Sequence, residues 1–408
     1  MDPRNNPYTP GAGTTPPALE GRAEQLERFE ILLDRLAAGR QERSQLVTGL
    51  RGVGKTVLLN RFEAIAKDRA WVTLEHEVDT RTSLAPLMGR LCRRALYTID
   101  RPARWGERAR RAAQVLKAFT LTFDPDGNVT LGSSDLEPAE GYGDSGALAE
   151  DLTDVIVTLG EAARERRTGV VFLLDEVQYL TKPDFEAVIL ALHKAQQKNL
   201  PVTMVGAGLP QMPKLAGEAK SYAERLFNFP RIGALDRDAA SEALIRPASE
   251  LSVEFTSGAE ELAWEFTEGY PYFIQEVGRA AWDEAEGDSV ISADDMTRAL
   301  PLVEAQLDES FFRVRVERTT ELELAYLRAM AELGPGPQRS GEVATTLGYE
   351  KSEELGPTRS NLIAKGLIYT PSHGVAEFTV PQFDKYLRRR MPLEKRSPKR
   401  RTPAKRRA

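Results

Sequence analysis

The sequence is poor in the residues that build disulfides and metal centres. It has a single cysteine, Cys92, and three widely spaced histidines, His76, His193 and His373, among 408 residues. One cysteine excludes an internal disulfide and a zinc site made of several thiolates. No apolar run approaches the roughly 20 residues that a membrane helix needs, and the first 17 residues lack the basic-then-apolar pattern of a signal peptide. We therefore expect a cytoplasmic protein with no membrane partner.

Acidic residues are scarce only at the carboxy-terminal end. Residues 388–408 hold eleven Lys/Arg and one acid, for a net charge of +10, whereas the rest of the chain carries −16. A basic arm on an acidic body is typical of proteins that bind polyanions, so we expect the tail, residues 391–408, to contact DNA. The alternative is a solubilising segment with no partner. Its three prolines favour disorder in either case.

Residues 49–56 have the pattern of a phosphate-binding loop, or P-loop. They read Gly-Leu-Arg-Gly-Val-Gly-Lys-Thr, which is G-x-x-x-x-G-K-[ST]. The glycines let backbone N–H groups converge on phosphate, and the following helix adds its positive N-terminal end. Lys55 would reach the β- and γ-phosphates and Thr56 would hold Mg²⁺; the alternative is a glycine turn before a core helix. The predicted nucleotide-binding residues of this loop are Gly49, Arg51, Gly52, Val53, Gly54, Lys55, Thr56 and Val57.

A continuous apolar run, residues 170–174, ends in the acids Asp175 and Glu176. Such a run is typical of a buried strand in a parallel sheet, and ligands of these sheets bind at the carboxyl ends of strands. Asp175 would orient Mg²⁺, directly or through water, and Glu176 would act as general base for the attacking water. The alternative is a strand end that happens to be acidic. An Asp-Glu pair, without an Asn-Lys-x-Asp guanine motif, favours an ATPase that uses ATP and Mg²⁺.

The order of elements predicts an α/β protein with several domains. Strands that alternate with helices indicate a parallel P-loop NTPase sheet, and two alternating runs around Asp-Pro-Asp-Gly predict a β-hairpin insertion near 119–132. The predicted regions are a flexible lead-in at 1–17, an ATPase domain at 18–235, a helical lid at 236–315, a further domain at 316–390 and the disordered tail at 391–408.

Five segments, in this order, resemble the AAA+ and STAND ATPases, especially the archaeal-type ATPase group related to replication initiators. They are Pro-Ala-Leu-Glu-Gly-Arg at 17–22, the P-loop, the acidic strand, the strand that ends at Gly208, and Gly-Tyr-Pro-Tyr-Phe at 269–273. The resemblance, which covers roughly residues 17–390, implies that Gly21 and Arg22 lie near the adenine and that the lid packs on the nucleotide around Pro271.

Other positions depart from this family pattern. The strand tip that normally senses the γ-phosphate is Gly206-Ala207-Gly208, and the lid segment lacks the arginine of the initiators' Gly-Asp-x-Arg motif. Both departures favour slow hydrolysis and a nucleotide-dependent switch over a fast motor. Arg225 falls where related ATPases carry an arginine finger, a catalytic role; the alternative is a surface ion pair with Glu224 or Glu218.

Residues 316–390 resemble a winged helix-turn-helix: three helices, at 321–333, 340–347 and 353–365, precede a hairpin. The third helix would enter the major groove, with Asn361 on adenine and Lys365 on phosphate. Glu353 and Glu354 would oppose this. The alternative is a STAND-like signalling scaffold whose winged helix engages a protein partner, or which forms a homo-oligomer, without DNA binding.

Overall fold

The computed structural model describes residues 1–11, 13, 19–123 and 136–393. The chain divides into two compact units. The first, here called the sheet unit, holds residues 9–49 and 53–239; the second, the helical unit, holds residues 1–8, 50–52 and the chain from residue 240 onwards. In the described part of the chain, no helix is both long enough and apolar enough to cross a membrane.

The sheet unit is built on five parallel strands in the order β2-β3-β4-β1-β5. The strands are β1 (Ser44–Thr48), β2 (Val72–Glu77), β3 (Val170–Asp175), β4 (Val202–Gly208) and β5 (Phe227–Asn228). Every residue of β1, β3 and β4 is buried, as expected for parallel strands with helices on both faces. The predicted α/β parallel sheet is therefore confirmed, and the loops after β1 and β3 leave the same edge of the sheet.

Helices connect these strands and cover the sheet. They are α1 (Ala23–Ala37), α2 (Lys55–Asp68), α3 (Leu84–Ile99), α4 (Glu107–Phe123), α5 (Leu148–Glu165), α6 (Lys182–Gln197), α7 (Met212–Ala219) and α8 (Ala223–Leu226). Four apolar residues that recur along α1 at three- and four-residue spacing are buried: Phe29, Leu32, Leu33 and Leu36. One of them, Phe29, packs with its ring centroid 4.4 Å from that of Phe62 in α2.

The predicted β-hairpin near 119–132 is wrong for its first strand. Residues 119–123 form the last turn of α4, where the rings of Phe119 and Phe123 lie 4.9 Å apart. The alternating pattern also places these aromatics four residues apart, which is helical spacing. The Thr120 hydroxyl donates to the carbonyl of Leu116, four residues earlier, at 2.8 Å. The rest of the predicted hairpin, residues 124–132, lies outside the described residues.

The remaining helices lie in the helical unit, except that the first of them begins in the sheet unit and crosses into the helical unit at residue 240. They are α9 (Arg237–Ser249), α10 (Ser257–Thr267), α11 (Pro271–Glu284), α12 (Ala293–Gln306), α13 (Arg313–Val316), α14 (Glu321–Leu333), α15 (Ser340–Leu347), α16 (Gly356–Ala364) and α17 (Phe383–Arg390). A π-helical segment, Leu307–Phe312, joins α12 to α13. Two short strands, β6 (Glu254–Phe255) and β7 (Val290–Ile291), form a parallel pair that the sequence pattern did not indicate.

The three helices predicted after residue 316 are present as α14, α15 and α16. Thr320 and Glu323 form a reciprocal capping box at the start of α14, which explains why that helix begins there. The predicted hairpin is confirmed as β9 (Ile368–Tyr369) and β10 (Val375–Phe378), which pair antiparallel. A further strand, β8 (Gln338–Arg339), pairs with the other edge of β10 and was not predicted.

The prediction of a flexible lead-in is wrong for residues 1–8, because these residues pack within the helical unit. The Met1 ammonium donates to the Ala285 carbonyl at 3.0 Å, and the Trp282 indole donates to the Asp2 carbonyl at 3.1 Å. Tyr8 is buried, and a Cβ atom at Gly278 would lie 2.5 Å from its ring. The composition of residues 1–17 indicated a flexible segment, because composition does not show that the Tyr8 ring packs against Gly278 of α11.

Candidate nucleotide site

The P-loop links the end of β1 to the start of α2, and its glycines are needed for its shape. Gly52 and Gly54 have φ angles of 81° and 89°, in the left-handed region that favours glycine. Gly49 has a different reason: a Cβ atom there would lie 2.5 Å from the Ile232 carbonyl oxygen. The segment therefore has the strand–turn–helix form that the P-loop pattern predicts.

Arg22 lies against this loop. Its guanidinium donates to the carbonyls of Val53 at 3.1 Å, Gly233 at 2.7 Å and Gly21 at 3.1 Å. Only 6% of the residue is exposed, and burial lowers the pKa of its guanidinium. Arg22 therefore ties the P-loop backbone to the segment after β5, which is a supporting role that the sequence did not indicate.

The P-loop and the acidic strand end meet at Thr56 and Asp175. The Thr56 hydroxyl donates to Asp175 Oδ2 at 2.5 Å, across 119 residues of sequence. The other carboxylate oxygen, Oδ1, accepts from the Glu176 backbone N–H at 2.8 Å. Burial raises the pKa of Asp175, although these two hydrogen bonds act in the opposite direction. Lys55, also buried, donates to the Gly49 carbonyl at 3.1 Å.

This pair of oxygen groups suits Mg²⁺. A hydroxyl and a carboxylate are hard ligands, and Mg²⁺ commonly takes one or two protein groups together with water and substrate phosphates. Within the described residues, no group of three or more His, Cys, Asp and Glu side chains could hold a metal by itself. Thr56 and Asp175 therefore fit a metal ion that arrives with a nucleotide better than one held by protein ligands alone.

Glu176 follows Asp175 at the carboxyl end of β3, with a φ of 52°. Its carboxylate accepts a hydrogen bond from Gln178 Nε2, and Gln178 Oε1 accepts from the Leu209 backbone N–H at 3.2 Å. Sequence reasoning missed Gln178. The available signal was a polar residue three positions after Asp175 together with a strand tip, Gly206–Gly208, that has no polar side chain.

Arg225 does not join this cluster. It is exposed in α8, directly before β5, and Phe227 of β5 pairs with Ser44, the first residue of β1. Because the two strands are parallel, α8 lies at the amino end of the sheet, about 16 Å along the strand direction from the start of the P-loop. The predicted alternative partner Glu218 pairs with Lys214 at 3.8 Å.

P-loop residues 50–52 belong by their contacts to the helical unit. Within that unit, the Tyr272 N–H, next to Pro271 at the start of α11, donates to the Gly52 carbonyl at 3.3 Å. Arg315 stacks over the Phe311 ring at 4.1 Å, and burial, together with the charge of Arg51, lowers its pKa to about 10. Sequence reasoning missed Arg315, which lies close enough to Arg51 of the P-loop for the two charges to affect each other.

Comparison with known proteins gives the family of one part of the chain. Residues 18–205 match a family model described as an AAA ATPase domain, and residues 309–387 match one described as a domain of unknown function. No curated protein matches this chain.

Several solved structures are similar to this chain at low sequence identity. The Walker-type ATPase PABY2304 of Pyrococcus abyssi is 18% identical, with a TM-score of 0.52, over 91% of this chain and 96% of that one. The ORC1 protein of Aeropyrum pernix, solved with DNA, is 16% identical with a TM-score of 0.46 over 92% and 94%. Cdc6p from Pyrobaculum aerophilum is 15% identical with a TM-score of 0.47 over 96% and 99%.

The family match begins before α1, contains the whole P-loop, and runs through the acidic strand into β4. It therefore covers every element that brings Lys55, Thr56 and Asp175 together. This part of the chain is an AAA-type P-loop ATPase domain.

Proposed function

We propose that residues 49–57 bind ATP, that Thr56 and Asp175 hold Mg²⁺, and that Glu176 is the general base. Lys55 would exchange the Gly49 carbonyl for the β- and γ-phosphates. The metal ion would neutralise charge on the phosphates, while Glu176 would orient the attacking water and take its proton. Gly21 and Arg22 would border the adenine. The observation that carries this proposal is the 2.5 Å hydrogen bond between Thr56 and Asp175.

The metal assignment has a direct test in ATP titrations with and without Mg²⁺. Thr56→Val removes one of the two ligand oxygens while keeping the side-chain shape, so Mg²⁺ should no longer tighten ATP binding as it does for the wild type. Thr98→Val is the control, because the Thr98 hydroxyl is exposed on α3 and bonds only the Arg94 carbonyl among described residues. An unchanged Mg²⁺ effect in Thr56→Val would rule out this ligand set.

We propose that turnover is slow and that the protein acts as a nucleotide-dependent switch. The strand tip at 206–208 has no side chain able to donate to a γ-phosphate, so one source of transition-state stabilisation seen in related sites is missing. A slow ATPase stays long enough in one nucleotide state to signal it.

We propose that Arg225 acts only on the nucleotide bound by a second copy of the chain. Since it lies at the amino end of its own sheet, it would have to act on a neighbour's nucleotide. Mixing Arg225→Ala with Lys55→Ala tests this: the first variant keeps a working site and the second supplies the arginine. Recovery of ATPase activity in the mixture supports an oligomer, and no recovery refutes the role in trans.

The helical unit after residue 316 is proposed to be a winged helix-turn-helix. Leu355 and Leu362 are buried, whereas Ser360, Asn361 and Ala364 of α16 are exposed. The phosphate contact predicted for Lys365 finds no support, because its ammonium donates to Glu323 at 2.6 Å and to the Arg318 carbonyl at 2.8 Å.

The basic end of α17 is also occupied by ion pairs. Arg388 pairs with Asp384 at 2.6 Å, and Arg389 and Arg390 pair with Asp308 at 2.6 and 2.9 Å. The side chains of these three arginines are therefore already paired with acids of the helical unit. We propose that the association with DNA depends instead on residues 391–408, which carry eight Lys/Arg.

A salt titration of DNA affinity tests the tail. Deleting residues 391–408 should weaken binding nearly equally for all DNA sequences, because a basic arm contacts phosphates and not base edges. Each lost phosphate contact changes the log–log salt slope by about 0.9, so we expect the slope to fall by roughly 3–6 units. A tail of equal length with its Lys/Arg changed to Gln is the matched control for length and should behave like the deletion. Equal slopes for all three proteins would leave the tail a solubilising segment.

The second candidate function is a STAND-like scaffold whose α16 face meets a protein partner or another copy. It is favoured by the acids Glu353 and Glu354, which are exposed next to the neutral exposed face of α16 and would repel a DNA backbone. If no DNA is bound at low salt, and sedimentation instead shows nucleotide-dependent self-association, this function replaces the DNA proposal.

A further inference from the structure

We propose that Gln178 is a positioning residue that fixes the Glu176 carboxylate against the end of β4. This inference rests on the general-base role proposed for Glu176. Gln178 lies in a short 3-10 turn, Val177–Tyr179, directly after the acidic pair.

The two partners of Gln178 define one orientation of its amide. The Leu209 N–H can only donate, so it must face the amide oxygen, which it meets at 3.2 Å. The amide nitrogen then points to the Glu176 carboxylate, which can only accept. A side chain with a donor at one end and an acceptor at the other is needed here, and glutamine provides both at the required reach.

Glycine at position 208 makes room for this amide. A Cβ atom there would lie 2.8 Å from Gln178 Oε1 and 2.9 Å from Met212 Cγ. At Gly206, a Cβ atom would lie 3.2 Å from Val177, the buried residue that anchors the turn. The end of β4, Gly206–Gly208, has no polar side chain. The polar side chain of Gln178 covers it.

The same peptide group also connects to the P-loop. The Gly208 carbonyl accepts from the Gly49 N–H at 3.1 Å, and the Leu209 N–H of that peptide donates to Gln178. Because a peptide group is planar and rigid, the first P-loop residue and the Glu176 carboxylate are held on opposite sides of one fixed unit. Gln178 therefore sets the position of the base relative to the phosphate loop.

The test uses the full chain and two substitutions of Gln178. Gln178→Met keeps the length of the side chain and removes both hydrogen bonds. Gln178→Glu keeps an acceptor for the Leu209 N–H but replaces the donor that faces Glu176. Both should lower kcat roughly 10- to 100-fold, the range expected for a misplaced catalytic group, with the Kd for ATP unchanged. Gln197→Met, at an exposed position in α6, should behave as the wild type.

The two substitutions separate positioning from simple structural support. If Gln178 only held Leu209, Gln178→Glu would retain wild-type kcat, and this result would overturn the proposal. Wild-type kcat in Gln178→Met would overturn it as well.

Combining Gln178→Met with Glu176→Gln tests whether the effect passes through the carboxylate. In single-turnover measurements, the double variant should be no slower than Glu176→Gln alone, since there is no base left to position. Additive slowing would show that Gln178 acts elsewhere and would overturn the inference. Wild-type turnover of Glu176→Gln by itself would instead remove the proposed general base, so the two failures are distinguishable.

Discussion

Replacing Arg22 by methionine is the sharpest test of how the P-loop is supported. The change keeps the apolar stem but removes every donor of a side chain that bonds the carbonyls of Val53, Gly233 and Gly21. We expect Arg22→Met to lower the free energy of unfolding and to weaken ATP binding as a consequence, because Val53 is part of the phosphate loop.

The magnitude follows from the contacts. A hydrogen bond to a charged group contributes about 1.5–3 kcal/mol, and two of the three carbonyls, those of Val53 and Gly233, belong to distant segments. Burying the guanidinium works against this gain, as the lowered pKa of Arg22 shows. We therefore expect a net loss of about 2–4 kcal/mol rather than the full sum of two such bonds.

The assay is urea unfolding of the nucleotide-free protein, followed by an ATP titration. Arg28→Met is the control: Arg28 lies on α1, the helix that follows Arg22, but is exposed and paired only with exposed Glu24 among described residues, so we expect a loss below about 1 kcal/mol. If Arg22→Met binds ATP weakly but unfolds at the wild-type urea concentration, Arg22 is a nucleotide contact and not a support of the loop.

Two further substitutions probe the site itself. Lys55→Ala should abolish ATP binding measured by titration while the circular dichroism of the folded protein is retained, since the buried Lys55 ammonium donates to the Gly49 carbonyl within the P-loop itself; unchanged ATP affinity would refute the site. Asp175→Asn should stabilise the nucleotide-free protein against urea at pH 7.5, because burial raises the pKa of Asp175 and its ionised form is disfavoured in the fold. This gain should shrink as the pH falls toward the ordinary value of 3.8, and a constant difference across pH would contradict the reasoning.

The parts of the fold that the sequence predicted correctly are those with a strong local signal. The apolar run that became β3, the strand that ends at Gly208 and the P-loop are each encoded within a few neighbouring residues. The first strand of the predicted hairpin, residues 119–123, was mispredicted because its aromatic residues fit a strand period and a helical period equally well. Packing of Phe119 into the core resolved the ambiguity in favour of the helix.

Long-range contacts explain what could not be predicted. Neither the binding of the Arg22 guanidinium to Val53 and Gly233 nor the amide bridge of Gln178 leaves a periodic signal, since each depends on segments that meet only in the folded sheet. The ion pairs of Lys365 and of the α17 arginines show the converse. Residue type suggested phosphate binding, and the neighbouring acids supplied by the fold showed that these charges are already paired.

The measurement that tests the central claim most directly is phosphate release by Glu176→Gln. The account predicts that this variant binds ATP and Mg²⁺ with wild-type affinity and hydrolyses ATP about 10²–10⁴-fold more slowly, because the general base is lost while the P-loop and metal ligands remain. Glu27→Gln, at an exposed position of α1, should keep wild-type turnover in the same assay. Wild-type turnover by Glu176→Gln would contradict the assignment of the acidic strand end as the catalytic centre.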